Sequence, residues 1–389
     1  MLSNNKNNKI VIILGTGATI ASNYKKEGQP LPGDRGFFGN GVVKKKIEFL
    51  PALKLMLSLF RNKNTSENAI DSLEAFWTFL DFCPIYKNIY NLDEEKEKWW
   101  KDINKNKKDY QLDKLHCNTK IYIEDSSMQT NNEYSNIDLA LLAGWELRLL
   151  ISEVYSELER PEEDVYLRLI NKLHQNDNEI SFVTFNYDCL LEASLNKIFG
   201  NKWFYPHIPS CENRDSIIKV LKLHGSLNWK MKGNNNFNLS TDYSEQPVMN
   251  ITREENDFEQ AAIVAPTQIK ADLHKQDTQN PIWVTLLEDT WRKASEIISV
   301  ADQVIVIGYS FPPTDYHIAW LFKIASSIKG QPYSTVTYCT KGDKIEDMKN
   351  RISQYFPANS YKLINTGLED YIKGVNIWEF PGIAVKDAG

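Results

Sequence analysis

The chain has 389 residues, of which 42% are hydrophobic and 12% aromatic, and a formal net charge of −6. At that length one core gives way to two lobes, and the acidic balance excludes the broad basic surface of a general nucleic-acid binder, so direct nucleic-acid binding is not expected. No stretch approaches the roughly 18 apolar residues of a membrane span, and the five cysteines, odd in number and never arranged as Cys-x-x-Cys, fit free thiols in a reducing cytoplasm better than a disulfide framework or a structural zinc.

Residues 10–14, IVIIL, form a continuous β-branched run suited to a parallel strand buried on both faces. The run enters Gly15-Thr16-Gly17-Ala18-Thr19, a strand-to-helix turn whose glycines let the backbone approach a phosphate. Residues 28–39, GQPLPGDRGFFG, are a long Gly/Pro loop with Asp34 and Arg35 at its centre; long loops of this kind are often functional. From 42 to 160 the periodicity turns helical: Leu50, Leu53, Leu57 and Phe60 share a face, as do Ala75, Phe76, Phe79 and Leu80, and 137–158 is the longest helical pattern. The charged stretch 91–113 carries Trp99-Trp100, which either pack on neighbouring elements or mark a partner surface.

After Pro161 a helix over 165–174 leads back to alternating strands and helices. Strands are predicted at 180–185, 220–223, 262–265, 304–307, 335–338 and 362–364. Helices are predicted over 186–199 and 281–299 and after His317, and 231–250, rich in Asn and Ser, reads as a surface loop. The expectation is an α/β protein: a doubly wound, Rossmann-like parallel sheet formed by 1–41 and 161–389, with a mostly helical inserted domain over 42–160.

Four polar loops each follow an apolar strand: 15–19, 186–188, 224–226 and 308–315. If the strands are parallel, all four share the carboxyl edge of the sheet, where open α/β sheets bind ligands. His224 ends a buried strand beside Gly225 and Ser226, and an ordinary imidazole suits proton exchange near neutrality; the other five histidines read as structural. Asn186 can donate and accept at once, positioning a hydroxyl or a water. The same residue type also closes a first helical turn, and both readings stand at this point.

Thr184-Phe185-Asn186-Tyr187-Asp188, then Leu223-His224-Gly225-Ser226, then Gly308-Tyr309-Ser310 resemble, in order and spacing, the NAD-binding motifs of the sirtuin-like family. Gly15-Thr16-Gly17-Ala18-Thr19 resembles its glycine-rich first turn, and the stretch around Asp34 and Arg35 its cofactor loop. The resemblance spans roughly residues 9–38 and 179–371 and implies NAD+ as substrate across the strand ends. It implies Asn186 orienting water or ribose hydroxyls, His224 as base, Asp188 meeting the nicotinamide carboxamide, and Asp34 and Arg35 closing over the substrate. The pyrophosphate would lie on Gly15, Thr16, Gly17 and Thr19, and the adenosine side against Gly308, Tyr309 and Ser310. Asp315 would cap the next helix or meet a hydroxyl.

Deacylating members carry two cysteine pairs for a structural zinc, absent here, and Tyr338-Cys339-Thr340 replaces a strand that often ends in Asn. The sequence is more similar to a zinc-free bacterial anti-phage branch that hydrolyses NAD+, some of whose members act with a HerA-type hexameric ATPase. The expectation is therefore a cytoplasmic NAD+ hydrolase, homo-oligomeric and partner-activated, with no zinc and no membrane association. The alternatives are an NAD-dependent protein deacylase or ADP-ribosyltransferase and, from another class, a non-catalytic NAD or ADP-ribose sensor.

Overall fold

The computed structural model describes residues 8–63, 71–83, 94, 95, 97, 98, 101, 139–162, 164–174, 178–200, 202–206, 218–232, 236–239, 259–264, 281–312 and 315–374. In chain order, β1 (Lys9–Leu14) turns into the short α1 (Thr16–Ala21), and β2 (Lys25–Lys26) and β3 (Gln29–Pro30) pair as a small hairpin before a 3-10 turn at Phe37–Gly39. Helices α2 (Gly41–Ile47), α3 (Pro51–Lys63), α4 (Leu73–Phe82), α5 (Leu139–Val154) and α6 (Val165–His174) follow. Then come β4 (Glu179–Thr184), α7 (Leu190–Phe199), β5 (Trp203–Phe204), β6 (Ile218–Lys222), β7 (Gly225–Lys232), β8 (Asn236–Leu239) and β9 (Glu259–Ile263). The chain continues through α8 (Pro281–Val300), β10 (Gln303–Ile307), α9 (Tyr316–Lys329), β11 (Thr335–Cys339), α10 (Ile345–Ser353), β12 (Tyr361–Ile364) and α11 (Leu368–Gly374).

Seven of these strands form one parallel sheet in the order β12-β11-β10-β1-β4-β6-β5. The chain builds outward from β1 on one side, then returns to build outward on the other, which is the expected doubly wound, Rossmann-like topology. The reversal falls between β1 and β10. Strand pleat explains why the apolar runs are unbroken: Ile10, Ile12 and Leu14 face a core with α6, α7 and α11, while Val11 and Ile13 face a second core with α8, α9 and α10. Each fully buried aliphatic side chain contributes about 1.5–3 kcal/mol.

A third core belongs to α2–α5, with Phe76, Leu53, Leu147 and Ile151 at its centre, and it takes in Phe37 and Phe38 from the preceding loop. It also takes in Leu227, Ala261 and Ile263 from β7 and β9. The helices therefore share one hydrophobic core with a small antiparallel sheet ordered β8-β7-β9.

That small sheet corrects two expectations. Residues 262–263 do form a strand, but Ile263 pairs antiparallel with Gly225 and Ala262 with Ser226, outside the main sheet. Part of the Asn-rich 231–250 stretch is strand, in β7 and β8, where a loop was expected. A third correction is that the helix expected over 186–199 begins only at Leu190. Local side-chain bonds set that start: Asn186 N donates to Thr184 Oγ1, and Leu190 N, the first helical amide, donates to Asp188 Oδ1. Trp99 and Trp100 lie outside the described residues.

Candidate active site at the carboxyl edge of the sheet

The register brings the polar loops together. Leu14 pairs with Ile307 on one side and Thr184 on the other, and Thr184 pairs with Lys222, so Gly15, Gly308, Asn186 and His224 follow at one edge. The ladder runs slightly further, with Gly15 N donating to Ile307 O at 3.0 Å, Phe185 N to Leu14 O at 3.2 Å and Leu223 N to Thr184 O at 2.9 Å. At the switch point two glycine turns press together. A Cβ on Gly308, which has φ +64°, would lie 2.2 Å from Ala18 N, and one on Gly15 would lie 2.6 Å from Gly308 O. The glycines here serve backbone-to-backbone contact. Three of the amides expected to cradle a phosphate are engaged internally: Gly15 N, Gly17 N on Gly308 O at 2.9 Å, and Ala18 N on Gly15 O at 2.9 Å. Thr16 is exposed beside them.

Asn186 is held by a directional chain. Its Nδ2 donates to Gly15 O and to Thr19 Oγ1, each at 3.0 Å, and the Thr19 hydroxyl donates to Asp188 Oδ2 at 2.6 Å. A backbone carbonyl can only accept, and the Thr19 proton is committed to a carboxylate, so the amide nitrogen must face these two partners. Asn186 Oδ1 is consequently turned the other way, buried and without a hydrogen-bond partner among the described residues. The helix-capping reading is thereby displaced: it is Asp188, two residues on, that accepts Leu190 N at 3.1 Å. Burial raises the Asp188 carboxyl above the usual carboxylate range, with Lys222 and the Thr19 hydroxyl pulling back only in part.

His224 packs beside the segment that follows β4, its ring 5.6 Å from Phe185 and 6.2 Å from Tyr187 between centroids. Its carbonyl accepts Val264 N at 2.8 Å, and the Tyr187 hydroxyl donates to Val264 O at 3.0 Å, so the end of β9 fixes both loops. Asn186 and His224 are 8% and 7% exposed, with Thr184, Asp188 and Ser226 also buried. Gly225 takes φ +77° at the start of β7, and the Ser226 hydroxyl donates to Asn228 Oδ1 at 2.5 Å.

The remaining expected residues are placed differently. Asp34 caps the helical lobe: its Oδ1 accepts Glu74 N at 2.7 Å and Ser72 Oγ at 3.1 Å, tying the loop to the start of α4. Arg35 and Ser310 are exposed. Asp315 occupies the cap position of α9 but makes no side-chain cap bond; it accepts the Tyr309 hydroxyl at 2.7 Å. Tyr309 in turn packs against Phe185 with ring centroids 4.7 Å apart and the planes tilted by 33°. A cavity of about 100 Å³ lined by Lys9, Glu179, Ser181 and Lys219 sits at the amino ends of the same strands, a strand's length from these loops.

Four residues near the site were not singled out from sequence. Tyr166 on α6 is buried, and its hydroxyl interacts with Asp188, Thr19 and Asn186; burial and the Asp188 carboxylate hold that phenol well above its ordinary value. Lys222 and Glu192, 1% and 0% exposed at their side chains, form an ion pair at 3.0 Å directly beneath the 186–189 turn. A lysine inside the apolar run VLKLHG was the visible signal. Cys189, the last residue of the turn, has its thiol pushed up to about 12 by burial. Among the described residues no group of His, Cys, Asp and Glu is arranged to hold a metal ion.

The fold and edge define a doubly wound α/β protein with a polar constellation at its topological switch point. No protein-family model matches the chain, and no curated protein matches it by sequence. Among solved structures the chain is similar to a sirtuin studied for substrate affinity, 12% identical with a TM-score of 0.36 over 95% of this chain and 92% of that one. It is similar also to a Sir2–p53 peptide–NAD+ complex, 13% identical with a TM-score of 0.35 over 95% and 92% of the two chains. A second sirtuin structure gives 14% identity and a TM-score of 0.38 over 95% and 93%. Superpositions this loose say nothing about what this chain binds.

Proposed function

We propose that this chain hydrolyses NAD+ at the bond between nicotinamide and ribose, releasing nicotinamide and ADP-ribose. The observation that carries the reading is Asn186 Oδ1: a buried acceptor, held in one orientation and left without a partner among the described residues, at the sheet edge where His224 also ends its strand. Such an atom costs about 1–3 kcal/mol until a donor reaches it. A water or ribose hydroxyl is the donor this reaction offers.

In the proposed reaction the C1′–N bond breaks and its electron pair leaves with nicotinamide, which departs neutral because the pyridinium was positive. The ribose becomes oxocarbenium-like, water adds at C1′, and its proton passes to His224 and then to solvent. Asn186 Oδ1 accepts from the attacking water or a ribose hydroxyl, lowering the entropy of the addition. Asp188, whose oxygens already receive Thr19 Oγ1 and Leu190 N, serves by holding the chain that orients Asn186. Thr16, Arg35 and Ser310, all exposed, are the proposed contacts for the pyrophosphate and adenosine portions.

The wider reading rests on the sequence motifs: a cytoplasmic, homo-oligomeric, anti-phage effector controlled by a protein partner such as a HerA-type hexameric ATPase. The test is free nicotinamide and ADP-ribose after incubation with NAD+, with and without an acetyl-lysine peptide. Asn186→Ala and His224→Ala are expected to lower release at least 100-fold with melting temperatures near the parent's. Dependence of turnover on the peptide would favour a deacylase; binding of NAD+ without release would favour a sensor.

A further inference from the structure

We propose that Lys222 is a positioning residue of this site: its buried ammonium clamps the carbonyls of Tyr187 and Asp188 and fixes the turn from which Asn186 projects, with Glu192 as its counter-ion. The inference rests on the NAD+ reading for its kinetic consequence and on geometry alone for the clamp.

An ammonium has three donors. Lys222 Nζ meets three acceptors: Glu192 Oε1 at 3.0 Å, Tyr187 O at 3.2 Å, and Asp188 O. Glu192 is itself held by the Tyr205 hydroxyl at 2.9 Å, and that hydroxyl accepts Asn228 Nδ2 at 3.3 Å. The two carbonyls belong to residues 186–189, between Phe185 and the start of α7 at Leu190; Tyr187 O is shared with Leu227 N at 3.0 Å and Cys189 O accepts Ala193 N at 2.9 Å, so the Lys222 bond to Asp188 O adds a tie at the middle of the turn. An ion pair needed merely to neutralise Glu192 would leave two ammonium donors for any acceptor; here both are spent on the turn that carries Asn186. The position in sequence fits: β6 sits next to β4, Thr184 pairs with Lys222, and the lysine side chain lies on the same side of the sheet as α7. Burial alone would push this ammonium down, but the carboxylates of Glu192 and Asp188 hold it above the ordinary lysine value, so the clamp stays charged.

The competing account is an ion pair that only stabilises the fold. Replacing both members of a buried pair by apolar groups of similar volume generally keeps stability, whereas removing one does not. Lys222→Met, Glu192→Gln and the double variant Lys222→Met/Glu192→Leu therefore separate the two. Three readouts apply: melting temperature, hydrogen exchange of peptides covering residues 185–190 by mass spectrometry, and kcat and KM for nicotinamide release. The expected result is a double variant that melts near the parent while residues 185–190 exchange about tenfold faster and kcat falls roughly 10–100-fold with little change in KM. Glu192→Gln, which leaves both carbonyl bonds possible, is expected to keep more protection of 185–190 than Lys222→Met. A double variant with parental exchange and kcat overturns the proposal, as does equal deprotection in the two single variants. If the parent itself releases no nicotinamide, the NAD+ reading fails and the exchange comparison alone decides the clamp.

Discussion

At the scale of single residues, one hydrogen-bond chain sets the chemistry: Gly15 O and Thr19 Oγ1 hold the Asn186 amide, and Asp188 holds Thr19. Its carboxylate predicts a pH dependence. The folded Asp188 carboxyl lies above its unfolded value, so its contribution to stability is fully present below about pH 4 and is lost as pH rises through the folded value. Asp188→Asn cannot titrate; the melting-temperature difference, parent minus variant, should therefore be most positive near pH 4 and shrink toward neutrality. A difference that grows with pH would contradict the assignment. Sequence made Asn186 and His224 visible because both interrupt apolar runs at strand ends. It could not choose between helix cap and ligand acceptor for Asn186, since that choice is made by Thr19, 167 residues away. Asp34 carries a partnership that its place in a Gly/Pro loop did not reveal: its oxygens accept from Ser72 Oγ and Glu74 N, 38 and 40 residues away.

Among elements, the packing of the β10 end on the α1 turn is the narrowest fit, and it fixes the edge on which the four loops meet. Gly308→Ala would need a left-handed φ and bring a methyl within 2.2 Å of Ala18 N, so a loss of about 2 kcal/mol or more is expected in denaturant unfolding. A loss below half of that would mean the two turns can separate freely. The parallel strands were legible because unbroken β-branched runs satisfy burial on both faces. The pairing of β9 was not, because a short apolar run carries no information about which strand it joins or in which direction. The start of α7 was misplaced for a related reason: leucine periodicity reports where a helix can run, while the local bonds of Thr184 and Asp188 decide where it begins. Helix α5, the longest helical pattern in the sequence, buries Leu142, Ala143, Leu147, Leu150 and Ile151 in the helical core.

For the whole molecule, length predicted two lobes, and the structure builds three cores: one on each face of the parallel sheet and one among α2–α5, β7 and β9. Cys189, Leu227 and Ile263 belong to that third core, and they adjoin Asp188, Ser226 and Val264 at the site, so the helical lobe is bound to the loops that carry Asn186 and His224. The account stands or falls on nicotinamide release. Purified parent, Asn186→Ala and His224→Ala proteins, matched for melting temperature, are incubated with NAD+ and the free nicotinamide is measured. Release by the parent and a loss of at least 100-fold in both variants is the predicted result; parental rates in either variant would contradict it.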